Sequence, residues 1–93
     1  MIEALLARGK WYAKYQKKAE AAFSDLNEAL GYATDGGYRI YEADIRVALA
    51  WAHIAKDEDD KAREQVEYAK RMSEEMGYYW GKVDSEEVLA VLG

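Results

Sequence analysis

The chain repeats itself at an interval of 40 residues. Gly37-Tyr38, Asp44 and Leu49-Ala50 recur as Gly77-Tyr78, Asp84 and Leu89-Ala90, and upstream Ala22 and Ala29 recur as Ala62 and Ala69. A period of this size marks stacked supersecondary units, helical or β, none of which can bury its apolar face alone. Such a chain works through its surfaces, so the repeat points away from a pocket enzyme and toward a fragment of a solenoid.

Composition decides which kind of unit repeats. Proline is missing from all 93 residues, and Ala, Glu, Lys and Leu, the strong helix formers, are abundant. Glycine falls where turns are wanted, at Gly36-Gly37, Gly77, Gly81 and Gly93, and no stretch of four or more residues alternates as a strand does. The expected fold is therefore all-α. Half the residues are apolar and a third are charged, the balance of one small globular domain (1–93) rather than of a disordered chain. With no cysteine, neither disulfides nor thiolate metal sites contribute. No segment reaches the roughly 18 uninterrupted apolar residues of a membrane span, and Met1–Arg8 lacks the basic-then-apolar order of a signal peptide. A cytoplasmic protein that does not enter membranes is the expectation.

Charge is spread unevenly. Met1–Lys18 carries five bases (Arg8, Lys10, Lys14, Lys17 and Lys18) against Glu3 alone, which leaves eight of thirteen bases and seventeen of eighteen acids to the remainder. A net charge of −5 argues against a duplex nucleic-acid binder, whose affinity rests on phosphate neutralisation.

Periodicity and turn signals predict four helices and a short fifth. Helix 1 is expected from about Ile2 to Tyr15 and helix 2 from about Lys17 to Thr34, where Asp35-Gly36-Gly37 stops it in a left-handed turn. Helix 3 is expected from between Tyr38 and Tyr41 to Ala55, and helix 4 from about Asp60 to Met76, capped by Asp59 or Asp60. The fifth starts either near Tyr79 or at Asp84, which forms a capping-box-like pair with Glu87. Helix 3 has Ile45, Ala48, Leu49, Ala52 and Ala55 on one side, and Val47, Trp51 and Ile54 on the other. A helix apolar nearly all round lies between neighbours. Helix 4 has only the narrow stripe Ala62, Val66, Ala69 and Met76 and is expected on the outside.

In these residues the chain resembles the tetratricopeptide repeat, in a long-helix variety similar to the C-terminal arrays of bacterial signalling ATPases and regulators. That pattern has a Leu-small pair in its first helix, then Ala, a large apolar residue and Ala in its second. Here it reads Leu49-Ala50, then Ala62, Val66 and Ala69. The preceding unit reads Leu6-Ala7, then Ala19, Phe23 and Leu26, at an offset of 43, implying about one extra helical turn in helix 2. The family's tryptophan is replaced by Arg46 and Glu3, its aromatic by His53 and Lys10, and its closing proline is absent. The resemblance implies a right-handed stack of antiparallel helix pairs: one unit over about 1–35, a second over about 38–77 and a cap over about 79–92. It also implies a concave groove lined by Arg8, Trp11, Tyr12, Asp44, Val47, Trp51 and Ile54. Val47 and Trp51 stand where a carboxylate-clamping groove needs polar groups, so an apolar anchor from a partner peptide or helix fits better.

The remaining local features have plainer explanations. Trp11, Tyr12 and Tyr15 among lysines could serve an acidic partner or single-stranded nucleic acid, but a solvated lysine face beside an aromatic core edge is the preferred reading, and a third is an internal counterweight to the acidic remainder. Asp57–Asp60 fails as an EF-hand, with Ala62 and Tyr68 at the positions that require Gly and Glu. His53, the only histidine, reads as a packed, hydrogen-bonded residue. No phosphate loop, nucleophile set or acid pair emerges, so no enzyme, metal or cofactor is expected. The leading reading is a scaffold that binds another protein. The alternative is a self-associating, homodimeric module joined through an apolar end at Leu89 and Val91, and a third is an acidic, antitoxin-like regulator of a basic protein.

Overall fold

A computed structural model describes residues 1–93 and contains five α-helices with no strand. Helix α1 spans Ile2–Trp11 and continues into one π-helical turn, Tyr12–Gln16; α2 spans Ala19–Gly36, α3 Arg39–Ala55, α4 Asp59–Met76 and α5 Tyr79–Leu92. No helix is long and apolar enough to cross a membrane. Each helix packs on the next in sequence, α3 also packs on both α1 and α5, and α1 and α5 do not pack on each other.

The helix ends follow a rule finer than the 40-residue repeat. A left-handed residue stands at Lys17, Gly37, Asp57 and Gly77, one every 20 residues. Beyond Gly37 the Tyr38 N–H donates to the Ala33 carbonyl at 2.9 Å, and beyond Gly77 the Tyr78 N–H donates to the Ser73 carbonyl at 2.7 Å. These are Schellman closures, which satisfy carbonyls that a helix end would leave bare.

Two cores share one helix. Leu5, Leu26, Ile45 and Leu49 lie with Ala13, Ala22, Ala29, Ala33, Ala48 and Ala52 between α1, α2 and α3. Val47, Ala50, Ala62, Val66, Ala69 and Val88 lie between α3, α4 and α5. Because α3 is apolar on opposed sides it serves both, which explains its central place. The many buried alanines remove side-chain bulk where helices cross and allow their axes to approach closely. Gly9 extends this logic: a Cβ there would stand 2.6 Å from Leu26 Cγ.

Two expectations are corrected. The first is the 43-residue frame. Helices α2 and α4 are both 18 residues long and start and end 40 apart. The buried set Ala22, Leu26 and Ala29 matches Ala62, Val66 and Ala69. Ala19 and Phe23 are only half-buried, so α2 has no extra turn. In α1, buried Leu5 and Gly9 occupy the places of Ile45 and Leu49, while Ala7 is exposed. A glycine in a leucine slot hides the true register from any search for a Leu-small pair.

The second correction concerns caps. Helix α4 begins after Glu58 with no side-chain cap, and Asp59 and Asp60 lie inside its first turn, where they favour the helix dipole instead. Of the two expected starts for the fifth helix the structure has the first: α5 runs unbroken from Tyr79 through Gly81, so Asp84 and Glu87 are interior. Gly81 does not break the helix because it is a contact point: a Cβ there would collide with the buried Ser73 Oγ of α4.

Candidate functional site

The face shared by α1, α3 and α5 holds a set of interacting polar groups drawn from all three helices. Residues Leu6 and Lys10 of α1, Asp44 and Val47 of α3, Tyr78 at the N-cap of α5 and Asp84 within it line one cleft of about 140 Å³. The Tyr78 hydroxyl donates to the Asp44 carboxylate, 2.9 Å from Oδ1 and 3.1 Å from Oδ2. Burial raises the Asp44 pKa above its ordinary value; the Tyr78 hydrogen bond opposes this, the Asp84 charge adds to it and Lys10 opposes it. Burial and then the Asp44 hydrogen bond and charge also raise the Tyr78 phenol pKa. The two aspartates are repeat-related, 40 apart, and the stacking of α5 beside α3 brings them together.

Further along the same face, Lys14 in the π turn reaches across α3 to Glu87 of α5, Nζ to Oε2 3.1 Å. Its ammonium also stands 5.0 Å from the centre of the Trp51 ring, within the range of a cation–π contact. The clasp joins α1 and α5, which otherwise do not touch, and it covers Trp51. The π turn matters here because it sets the direction from which Lys14 leaves the end of α1.

The residues expected to line a groove are dispersed. Asp44 lies in the cleft. Val47 also lines it, yet is buried in the second core. Trp51 is half-buried beneath Lys14 and packs against both cores, and Ile54 packs on the second. Tyr12 packs on the first core, and its ring lies 5.4 Å from that of Trp11, which stays 48% exposed. Arg8 turns toward α2 instead, where Nε and Nη2 donate to the buried Asp25 carboxylate at 2.7 and 2.9 Å. That pairing raises the Arg8 pKa, first through the hydrogen bond and then through charge. At the far end Leu89 is half-buried against the second core, whereas Val91 is exposed. His53 is packed as expected: its Nδ1 lies 3.0 Å from Glu58 Oε1 and its ring meets Phe23 edge-on at 4.8 Å.

Sequence reasoning missed Lys10, Lys14, Tyr78, Asp84 and Glu87 as partners on this face. The 40-residue pairing of Asp44 with Asp84 was the signal for two of the helices. The reach of Lys14 over Trp51 had none.

A second surface is apolar. Where α2 ends and α1 and α3 begin, Met1, Ile2, Glu3, Tyr32, Tyr38 and Tyr41 line a cleft of about 580 Å³. An adjoining cleft of about 470 Å³ is formed by Tyr38, Arg39, Ile40 and Tyr41. Ile40 is 52% exposed, and its repeat partner Trp80, beside Tyr79, is 63% exposed. No protein-family model matches the chain, and neither a curated protein nor a solved structure matches it.

Proposed function

We propose that the chain is a short stack of tetratricopeptide-like helix pairs, α1 with α2 and α3 with α4, closed by α5, and that it acts as a protein-interaction module. The 40-residue register of helices and turns and the central place of α3 support the stacked-pair reading. The observation that carries the interaction reading is the apolar edge formed by exposed Tyr38 and Ile40 beside half-buried Tyr41, continued by exposed Met1 and Tyr32. Large side chains left in water side by side mark contact surfaces, because burying them against a partner releases the cost of hydrating them.

This edge suits an apolar partner better than the α1/α3/α5 face, which is spanned by the Lys14–Glu87 clasp and lined with charge. A partner helix seated there would have to break the clasp and uncover Trp51, whereas the edge is already open. The test places a photo-crosslinking residue at Ile40, at Trp51 or at Glu64 in cells. A discrete protein adduct from position 40 alone is expected, and Tyr38→Glu should abolish it. An adduct from position 51 alone returns the site to the α1/α3/α5 face, and no adduct from 40 or 51 sinks the reading.

A further inference from the structure

Helix α5 gives the core little to hold. Its buried residues are Gly81, Ser85 and Val88, of which only Val88 is a large apolar side chain, with Leu89 and Leu92 half-buried beside it. Tyr79, Trp80 and Val91 stay in water. Ser73 of α4, against which Gly81 packs, and Ser85 of α5 are both fully buried, yet each hydroxyl donates within its own helix. Ser73 Oγ donates to the Ala69 carbonyl at 2.8 Å and Ser85 Oγ to the Gly81 carbonyl at 2.7 Å. Parting α5 from α4 therefore strands neither hydroxyl, and a stranded polar group is the usual obstacle to opening a buried contact. The polar ties that cross to α5 are peripheral: Lys14 to the half-exposed Glu87, Lys70 to the half-exposed Glu86 at 3.9 Å, and Tyr78 to Asp44. Helix α1 is fastened differently, by two hydrogen bonds from Arg8 to the buried Asp25.

We propose that α5 is a latch, which swings open as a unit about Gly77-Tyr78 while α1–α4 stay folded, and which the Lys14–Glu87 clasp holds shut. Elements with few buried apolar contacts and exposed ties are those that open ahead of the whole. Gly77 and Tyr78 are the two non-helical residues between α4 and α5. Gly77, at φ 70°, leaves the left-handed region freely because it has no Cβ. Opening breaks the clasp and the Tyr78–Asp44 hydrogen bond together. It uncovers Val47, which Tyr78 and Asp84 flank in the closed cleft, and Trp51, which lies beneath Lys14. The α1/α3/α5 face is thus gated by the chain's own fifth helix. The Tyr38–Tyr41 edge is open with α5 closed, so the latch stands or falls separately from the role proposed for that edge.

The chain has no cysteine, so one introduced thiol reports the opening. Val47→Cys places it in the second core beside α5, and Ala48→Cys places it in the first core on the other side of α3. Circular dichroism melts set conditions in which both variants are folded. With N-ethylmaleimide, the Val47→Cys thiol should react about tenfold or more faster than the Ala48→Cys thiol. Its rate should also depend less on urea, because opening α5 exposes less surface than unfolding the chain. Lys14→Ala should speed the Val47→Cys reaction about two- to fivefold, the worth of one exposed ion pair, and leave the Ala48→Cys reaction unchanged. Glu87→Ala on top of Lys14→Ala should add nothing. In the unsubstituted chain, the amides of α5 should exchange with deuterium ahead of those of α3 and α4. Equal thiol rates, or amide exchange through one opening common to α3, α4 and α5, overturn the latch. A Lys14→Ala effect on both thiols, or on neither, overturns the clasp as its fastening.

Discussion

Gly9 sets how closely α1 approaches α2. It is buried and faces Leu26, which is itself wholly enclosed and has no space into which to swing. Gly9→Ala should therefore destabilise the protein by about 1–3 kcal/mol, the usual range for overpacking, despite the better helix propensity of alanine. Gly31 provides the contrast. It lies in exposed α2 with nothing within 4 Å of an added Cβ, so Gly31→Ala should stabilise by up to about 1 kcal/mol. Urea denaturation of the two variants checks both signs, and equal effects would remove the close-contact account of Gly9. The sequence shows both glycines in helical segments but does not say which one touches a neighbour, because that depends on where α2 lies.

At the scale of the helix, each stop relies on a left-handed residue, and only two of the four internal ones are glycine. Lys17 at φ 53° and Asp57 at φ 62° hold the same turn with a side chain attached. Asp tolerates this region better than Lys, whose Cβ crowds the following carbonyl at a cost of about 1 kcal/mol or more. Lys17→Gly removes that crowding against a smaller gain in unfolded-chain freedom, so the melting temperature should rise by a few degrees, roughly what a net 0.5 kcal/mol yields in a domain of this size. The same change at Gly37 in reverse, Gly37→Lys, should lower it. A fall for Lys17→Gly would mean that the Lys17 side chain contributes more than its backbone costs. The glycine stops were legible because glycine announces its backbone. At Lys17, where helix 2 is expected to start, and at Asp57, in the acidic run Asp57–Asp60, the residue type announces no left-handed backbone.

At the scale of the whole molecule, the Asp44–Tyr78 contact ties α3 to the start of α5 and places Asp84 and Lys10 in the same cleft. The folded pKa of Asp44 is raised, chiefly by burial, so in the range just above the ordinary carboxylate value the folded state binds more protons than the unfolded one. The Asp44 contribution to stability is therefore fully present at low pH and is lost as pH rises through the raised value. Glu58 acts in the opposite sense. Its hydrogen bond from His53 lowers its pKa, so its contribution is present above the ordinary value and lost as pH falls through the lowered one. Asp44→Asn isolates the first effect, since an amide carbonyl still accepts the Tyr78 hydroxyl but carries no buried charge. Thermal melts should show its advantage over the wild type growing with pH across the carboxylate range and then levelling off. A constant difference at every pH would place the cost of Asp44 elsewhere.

By itself the sequence determined that this protein is helical, where its helices lie to within a few residues, and that helix 3 is central. Propensity, glycine placement and a two-sided apolar pattern are properties of the chain read locally, and they survive any packing arrangement. Only the tertiary structure decided the rest: that Arg8 turns to Asp25, that Val47 is core, that Lys14 closes over Trp51 and that Gly9 takes a leucine's place. On a helix apolar nearly all round, periodicity does not choose which side faces which neighbour. Long charged side chains such as Arg8 and Lys14 reach across a neighbouring helix, so their partners are fixed by the geometry of the stack and leave no trace in sequence spacing.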